Sequence, residues 1–317
     1  MSEVELDALL RRFLEEGSEL IPIEANGRRT LAVYRQLSTD TCDRIIKVSR
    51  FDQSIYSVNK YFADHPNICD SSLYSLPKVL SVYRCQDLLV VVYSLVEYAP
   101  ISWSDLRSAS AVFGLARAIA DFNSTVSLPV NHSSSLSGIR IKKYRLSLSL
   151  DALSSVFPSW SRPDVARYLD LAHTSYRSLL KRVRSLDGIC ACENILSHND
   201  FVPKNILKPV PAQARYIFID LDDACMAPVG ADLRFVVAAN YLQSDLLDRI
   251  YRISTVYADH YLSLSSSRYV SSSAVFLNAM FGYVDAWLNI HLRARSRFDK
   301  RRFMGCLSVC EQLCRLL

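Results

Sequence analysis

The sequence predicts an α+β protein of two lobes, a small β-rich first third and a larger, mainly helical remainder. Three observations carry this. Short β-rich runs follow one another through the first hundred residues, and beyond them apolar residues recur at helical spacing. Half of the 317 residues are apolar, enough for a sizeable core. At roughly 150 residues per domain, that length suits about two domains or one bilobal unit.

Taken in order, residues 1–16 carry acids from residue 3 and apolar residues at helical spacing (Val4, Leu6, Leu9, Leu10, Phe13). They lack the basic start and apolar core of a secretory signal. Residues 19–25 and 30–37 are β-rich and joined by Asn26-Gly27, a tight-hairpin signal. Residues 44–48 (RIIKV) form a third strand, and residues 53–63 a short helix stopped before Pro66. Residues 76–83 and 88–96 are two more strands, the second so apolar that it should be central. A hinge at 97–100 divides a lobe of residues 1–97 from one of residues 98–317. Helices follow at 105–122 (Ala109, Val112, Phe113, Ala116, Ile119) and 163–186, where Pro163 suits the first turn. Residues 124–138 form a Ser-rich loop, and residues 231–317 several helices broken at 263–273. A cleft between two lobes is a common place for a ligand.

Composition excludes several classes. Lys and Arg number 37 against 32 Asp and Glu, an excess spread too thinly to expect a nucleic-acid partner. No apolar run approaches the roughly 20 residues of a membrane helix. Nine scattered cysteines in this context suggest a cytoplasmic protein with reduced thiols. Cys190 and Cys192 are too close for a usual zinc knuckle. Cys306, Cys310 and Cys314 fall four apart on one helix face, where free thiols pack as small hydrophobes. The basic run 293–302 reads as the solvated end of a helix. No Walker A, G-x-G-x-x-G, H-E-x-x-H or G-x-S-x-G pattern occurs.

Residues 196–233 carry the chemistry: LSHNDFVPKNILKPVPAQARYIFIDLDDACMAPVGADL. Two strand-like pieces, 206–207 and 216–219, are flanked by polar clusters: His198, Asp200 and Asn205 before the first, Asp220, Asp222 and Asp223 after the second. A hairpin would bring these clusters together. Phosphoryl transfer needs hard oxygen ligands for Mg²⁺ and a carboxylate to orient the attacking hydroxyl. Asp200 can be that base, and Asn205 and Asp220 the metal ligands.

The pattern H-x-D-x-x-x-x-N, then I-D, then G-x-D-L resembles the signature of the aminoglycoside phosphotransferase/choline kinase family, relatives of protein kinases. His198-Asn199-Asp200 with Val202-Pro203 and Asn205 looks most like the bacterial choline kinases. The resemblance implies a bilobal protein-kinase-like fold, with ATP and Mg²⁺ as cofactors and a small-molecule hydroxyl as acceptor. It implies Asp200 as catalytic base, Asn205 and Asp220 on Mg²⁺, His198 supporting the loop, and Asp232 tying the loop to the next helix. Lys47 would contact the ATP phosphates, Glu97, Tyr98 and Ala99 would form the adenine hinge, and Gly27 would lie in the phosphate-covering loop. Asp222 is either a second metal ligand or a salt-bridge partner.

Two departures stand out. No Glu occurs between Glu24 and Glu97, so the family's helix Glu for Lys47 is missing. Either Asp52 or Asp64 substitutes, or Lys47 is held differently. The phosphate-covering loop also has a single Gly. The expected function is ATP- and Mg²⁺-dependent phosphorylation of a choline-like, amino-alcohol or sugar-like acceptor. A scaffolding pseudokinase, an aminoglycoside kinase and a protein kinase are the alternatives. Residues 231–317 hold 7 acids and 11 bases, the wrong balance for a polycationic aminoglycoside. Tyr241, Tyr283 and Trp287 are the candidate aromatic faces for a single cationic acceptor, or else plain core.

Overall fold

The computed structural model describes residues 10–11, 18–23, 30–37, 43–96, 99–126, 138–142, 161–185, 194–208, 215–265, 270–289 and 300–316. Among the sequence-based expectations, the Asn26-Gly27 turn, the hinge residues Glu97 and Tyr98, and Cys190 and Cys192 lie outside them, as do residues 1–9 and most of the run 293–302.

Along the chain, the first elements are β1 (Glu19–Ile23), β2 (Thr30–Leu37), β3 (Arg44–Arg50), α1 (Gln53–Asp64), β4 (Tyr74–Ser75), β5 (Val79–Cys85), β6 (Leu88–Ser94) and β7 (Ala99–Pro100). Next come α2 (Ala109–Val126), α3 (Arg162–Ser185), β8 (Asn194–Ser197), β9 (Ile206–Lys208), β10 (Tyr216–Phe218) and β11 (Cys225–Pro228). The helices α4 (Arg234–Asn240), α5 (Leu246–Leu264), α6 (Ser272–Asn289) and α7 (Lys300–Leu316) complete the order. The chain divides into two compact units. The first takes the described residues up to 99 together with 138–139, 207–208 and 215–223. A single cut near residue 97 cannot express this, because the chain returns to the β-rich unit after residue 206.

The first unit is built on an antiparallel sheet ordered β1-β2-β3-β6-β5. The apolar β6 has a neighbour on each side, as its composition requires. Strand alternation puts Ile46 and Val48 of β3 on one face, where they pack with Val90, Val92 and Leu10, and turns Lys47 to the other. Helix α1 starts at Asp52, whose carboxylate accepts from the Ser54 and Ile55 amides, and stops short of Pro66. It buries Ile55, Val58, Tyr61 and Phe62, and packs on β5 and on the 3₁₀ turn Leu221–Asp223. Strand β10 pairs in parallel with β4, Phe218 stacking on Tyr74, and has β9 as its other neighbour, as the hairpin reading expects.

The second unit is mainly helical. Helix α2 packs on α5, α5 on α6, α6 on α4 and α7, and α7 on α3. A two-stranded antiparallel ribbon, β8 with β11, sets Ser197 opposite Cys225. Cys306 and Cys310 are fully buried in α7, and burial pushes the Cys310 thiol up to about 12. Among the described residues no helix is long and apolar enough to cross a membrane.

Two element expectations change. The strand expected at 76–83 starts only at Val79, as β5, because Pro77 cannot donate to a ladder, and the two-residue β4 lies before it. The helix expected at 105–122 starts at Ala109, since Asp105 accepts from the Ser102 amide and hydroxyl and closes a 3₁₀ turn first.

Candidate functional site

Each unit holds one polar cluster. In the first, Lys47 Nζ donates to Asp220 Oδ1 at 2.6 Å and pairs with Asp222 Oδ2 at 2.8 Å. Burial alone would push the ammonium down, but Asp222 and Asp220 together hold it above the ordinary lysine value. Asp220 has φ 65°, in the left-handed region that Asp tolerates better than most residues. That bend ends β10, so the strand does not continue to residue 222. The 3₁₀ turn Leu221–Asp223 returns Asp222 to Lys47 instead.

Tyr93 stands opposite Ile45 in β6, on the Lys47 face of the sheet. Its hydroxyl donates to Asn59 Oδ1 at 2.7 Å, and Asn59 Nδ2 donates to Ile55 O. Helix α1 therefore offers a fully buried neutral amide here. Asp52 is spent on the helix cap and Asp64 on Lys60, so neither substitutes for the missing Glu. Lys47 is held differently, by the two aspartates after β10.

The second cluster follows β8. His198 is fully buried, its ring 4.3 Å from that of Phe201, and its Nδ1 accepts from the Asp200 amide. Asn199 has φ 59°, again left-handed, a conformation open to Asn and Gly. Asp200 Oδ2 accepts from Asn205 Nδ2 at 2.9 Å, and its carbonyl accepts from the same nitrogen and from the Val202 amide. Asn205 Oδ1 is thereby the atom left for a ligand.

Asp232, 1% exposed, gathers this loop. It accepts from Ser197 Oγ at 2.6 Å, the His198 amide at 3.1 Å, the Asn199 amide at 2.8 Å and Asn123 Nδ2 at 3.2 Å. Tyr257 in turn donates to Asn123 Oδ1. Gly230 makes the turn possible: its φ is 86°, and an added Cβ would meet the Val275 backbone at 2.9 Å. Arg234 donates to Asn199 Oδ1 at 2.6 Å and to its carbonyl, and Lys142 Nζ donates to the same Oδ1 at 3.0 Å. Burial, with Arg234 adding to it, pushes the Lys142 amine down to about 7.

Asn205 in the second unit offers a neutral oxygen donor and Asp220 in the first an anionic one, each of the kind a hard cation such as Mg²⁺ takes. Ala99 is exposed at the start of β7. Gly27, Glu97 and Tyr98 lie outside the described residues. Tyr283 is 1% exposed in α6 and stacks on Tyr241, their centroids 6.4 Å apart. Tyr241 is covered in turn by Gly305. The Trp287 side chain is outside the described set. Sequence reasoning missed Asn59, Tyr93, Asn123, Lys142 and Arg234. Only Lys142 had a local signal, the acid-free basic run Arg140, Lys142, Lys143, Arg145.

A model described as "Phosphotransferase enzyme family" matches residues 29–259. No curated relative matches significantly. Among solved structures, the GDP and kanamycin complex of APH(2")-IIia is similar over 99% of both chains, at 14% identity and TM-score 0.60. The macrolide 2'-phosphotransferase MphH from Brachybacterium faecium is similar over 98% of both, at 15% identity and TM-score 0.56. A Plasmodium vivax ethanolamine kinase is similar over 96% of this chain and 86% of its own, at 12% identity and TM-score 0.52. At these identities the structural likeness establishes the α+β kinase-like fold.

Proposed function

The chain belongs to the phosphotransferase enzyme family, and from that premise we propose that it moves the γ-phosphoryl group of ATP, in a Mg²⁺-dependent reaction, to a hydroxyl of an amino-alcohol or sugar-like small molecule. The observation that carries this reading is the pairing of Lys47 with Asp220 across 173 residues of chain. A strand lysine beside an anionic carboxylate suits phosphates and the metal that accompanies them. When bound, Mg²⁺ neutralises charge on the phosphates.

In this reading Lys47 binds the phosphates, Gly27 belongs to the loop that covers them, Asp220 and Asn205 hold the metal, and Glu97, Tyr98 and Ala99 receive the adenine. Asp200 orients the acceptor hydroxyl and takes its proton. Its Oδ2 is fixed by Asn205 Nδ2, so the carboxylate is aimed before the acceptor arrives. His198 and Asp232 hold the loop in place. The transition state is loose, so positioning and charge neutralisation do most of the catalysis. Tyr241, Tyr283 and Trp287 remain the aromatic candidates on the acceptor side.

The absence of a carboxylate on α1 by itself favours a scaffolding pseudokinase. The two carboxylates already on Lys47 argue for turnover. The test is Mg²⁺-dependent ATP consumption over choline, ethanolamine, aminoglycosides, amino-acid alcohols and sugars. Acceptor-dependent ADP release lost on chelation is expected. A chain that binds nucleotide and turns over none of them favours the scaffold.

A further inference from the structure

A chain of contacts in the first unit closes around Lys47. Lys47 stands opposite Val91 of β6 and Ile45 opposite Tyr93, so Tyr93 is the diagonal cross-strand neighbour of Lys47 on the same face of the sheet. The Tyr93 hydroxyl donates to Asn59 Oδ1 at 2.7 Å. Asn59 lies in α1, which packs on the 3₁₀ turn Leu221–Asp223. That turn carries Asp222, whose Oδ2 returns to Lys47 Nζ at 2.8 Å.

Hydrogen-bonding capacity around this circuit is unevenly used. The Lys47 ammonium has three N–H groups. Asp220 and Asp222 take two, and among the described residues no third acceptor is bonded to it. Tyr93 has one O–H, and burial keeps the phenol above its ordinary value and protonated, against the pull of Lys47. That O–H goes to a neutral amide, although the two carboxylates on Lys47 are its neighbours. A carboxylate is the stronger acceptor, since charge roughly doubles the strength of a hydrogen bond. Asn59 sets the choice. It is fully buried, and its Nδ2 donates to Ile55 O at 2.9 Å one turn back in α1, which leaves Oδ1 to Tyr93. A carboxylate at this position would set an oxygen against the Ile55 carbonyl, acceptor against acceptor. An apolar side chain would release the Tyr93 hydroxyl to the aspartates.

We propose that Asn59 is a positioning residue for Lys47: by engaging the Tyr93 hydroxyl it keeps that hydroxyl off Asp220 and Asp222, so both carboxylates stay on Lys47 and its third N–H is left for a nucleotide phosphate. This deepens the phosphotransferase reading and rests on it for the phosphate role of Lys47. Asn59 acts through Tyr93 and touches no substrate.

Kinetics on two variants test it. Asn59→Ala frees the hydroxyl and leaves a cavity, and adding Tyr93→Phe removes the hydroxyl but keeps the cavity. Asn59→Ala should raise the KM for Mg-ATP about tenfold, one charge-assisted hydrogen bond's worth, with a smaller effect on kcat. The double variant should recover most of that KM while chemical denaturation still finds it less stable than wild type. A merely structural role would instead make KM follow stability. Asn59→Leu fills the space, frees the same hydroxyl and should raise KM likewise, so the comparison stands if Asn59→Ala does not fold. An unchanged KM in the folded single variant, or a double variant no better than the single one, overturns the proposal. Mg-ADP calorimetry on the same proteins keeps the two readings apart. Affinity lost in Asn59→Ala and restored by Tyr93→Phe, in a chain that phosphorylates no acceptor, counts against transfer and for Asn59. Turnover with an affinity that ignores Asn59 counts against Asn59 alone, and a wild-type chain that binds no nucleotide overturns both.

Discussion

Asp232→Ala should unlatch the loop that carries Asp200. The carboxylate is 1% exposed and receives four donors, two of them the backbone amides of His198 and Asn199. Truncation leaves these donors without their acceptor in a place water reaches poorly. A buried hydrogen bond to a charged group is worth about 1.5–3 kcal/mol, and an orphaned donor costs a similar amount. Four neighbouring bonds are not additive, because the loop relaxes once the first is lost. The expected loss is about 3–5 kcal/mol, the range for breaking a buried charged network. Asp232→Asn should recover little of it, since its amide nitrogen would face donors where the second carboxylate oxygen stood. Chemical denaturation measures the loss, and amide hydrogen exchange localises it, with His198 and Asn199 expected to lose protection before the rest of the second unit. A loss under about 1 kcal/mol with both amides still protected would refute the latch.

Other perturbations have equally definite outcomes. Asp200→Asn keeps an acceptor for Asn205 Nδ2, so fold and Mg-ATP binding should persist while kcat falls by about two to four orders of magnitude; turnover near wild type contradicts the base. Asp220→Ala leaves Lys47 paired with Asp222 but removes the anionic donor proposed for the metal, and calorimetry should show Mg²⁺-dependent nucleotide binding lost. Asp222→Asn should raise the KM for Mg-ATP about tenfold by loosening Lys47, with partial recovery in Asp222→Glu. An unchanged KM and an altered Mg²⁺ requirement would instead make Asp222 a metal ligand. Lys142 titrates near 10.5 when unfolded and at about 7 when folded. Between those values the unfolded chain holds a proton that the folded one lacks, so stability rises with pH by up to about 1.4 kcal/mol per pH unit. Lys142→Met should flatten that rise in anion-free buffer, and equal slopes in the two proteins would count against it.

The sheet, α1 and the long helices were legible because each has a local period. The loop residues 198–205 were legible because their spacing is fixed by one turn of chain. Ribbon β8–β11 was not: each strand has only four residues and finds its partner about 30 residues away, beyond any periodic signal. The holder of Lys47 was hidden for a related reason. Whether Asp222 faces Lys47 depends on φ at Asp220, and a strand pattern gives no sign of a left-handed residue at its end. The missing helix Glu was visible in the sequence, yet its replacement came from a turn 175 residues after Lys47, which no reading of the neighbourhood could find.

The acceptor argument shows the same limit and a way past it. The surplus of bases in residues 231–317 sets the sign of a long-range field, and at physiological salt such a field fades within about 8 Å. Charges at the far ends of helices therefore speak weakly about what binds at Asp200. Lys142 and Arg234 are different: both touch the residue before Asp200, and both are at least partly withdrawn from water. Lys142 was outside the counted window altogether. The aromatic route to a cationic acceptor is narrower than the sequence suggested, because Tyr283 is used in packing α6 and its ring face is covered by Tyr241. A cation–π contact needs an open ring face. Charge beside Asp200 and the covered face of Tyr283 are local features that a regional charge count does not weigh.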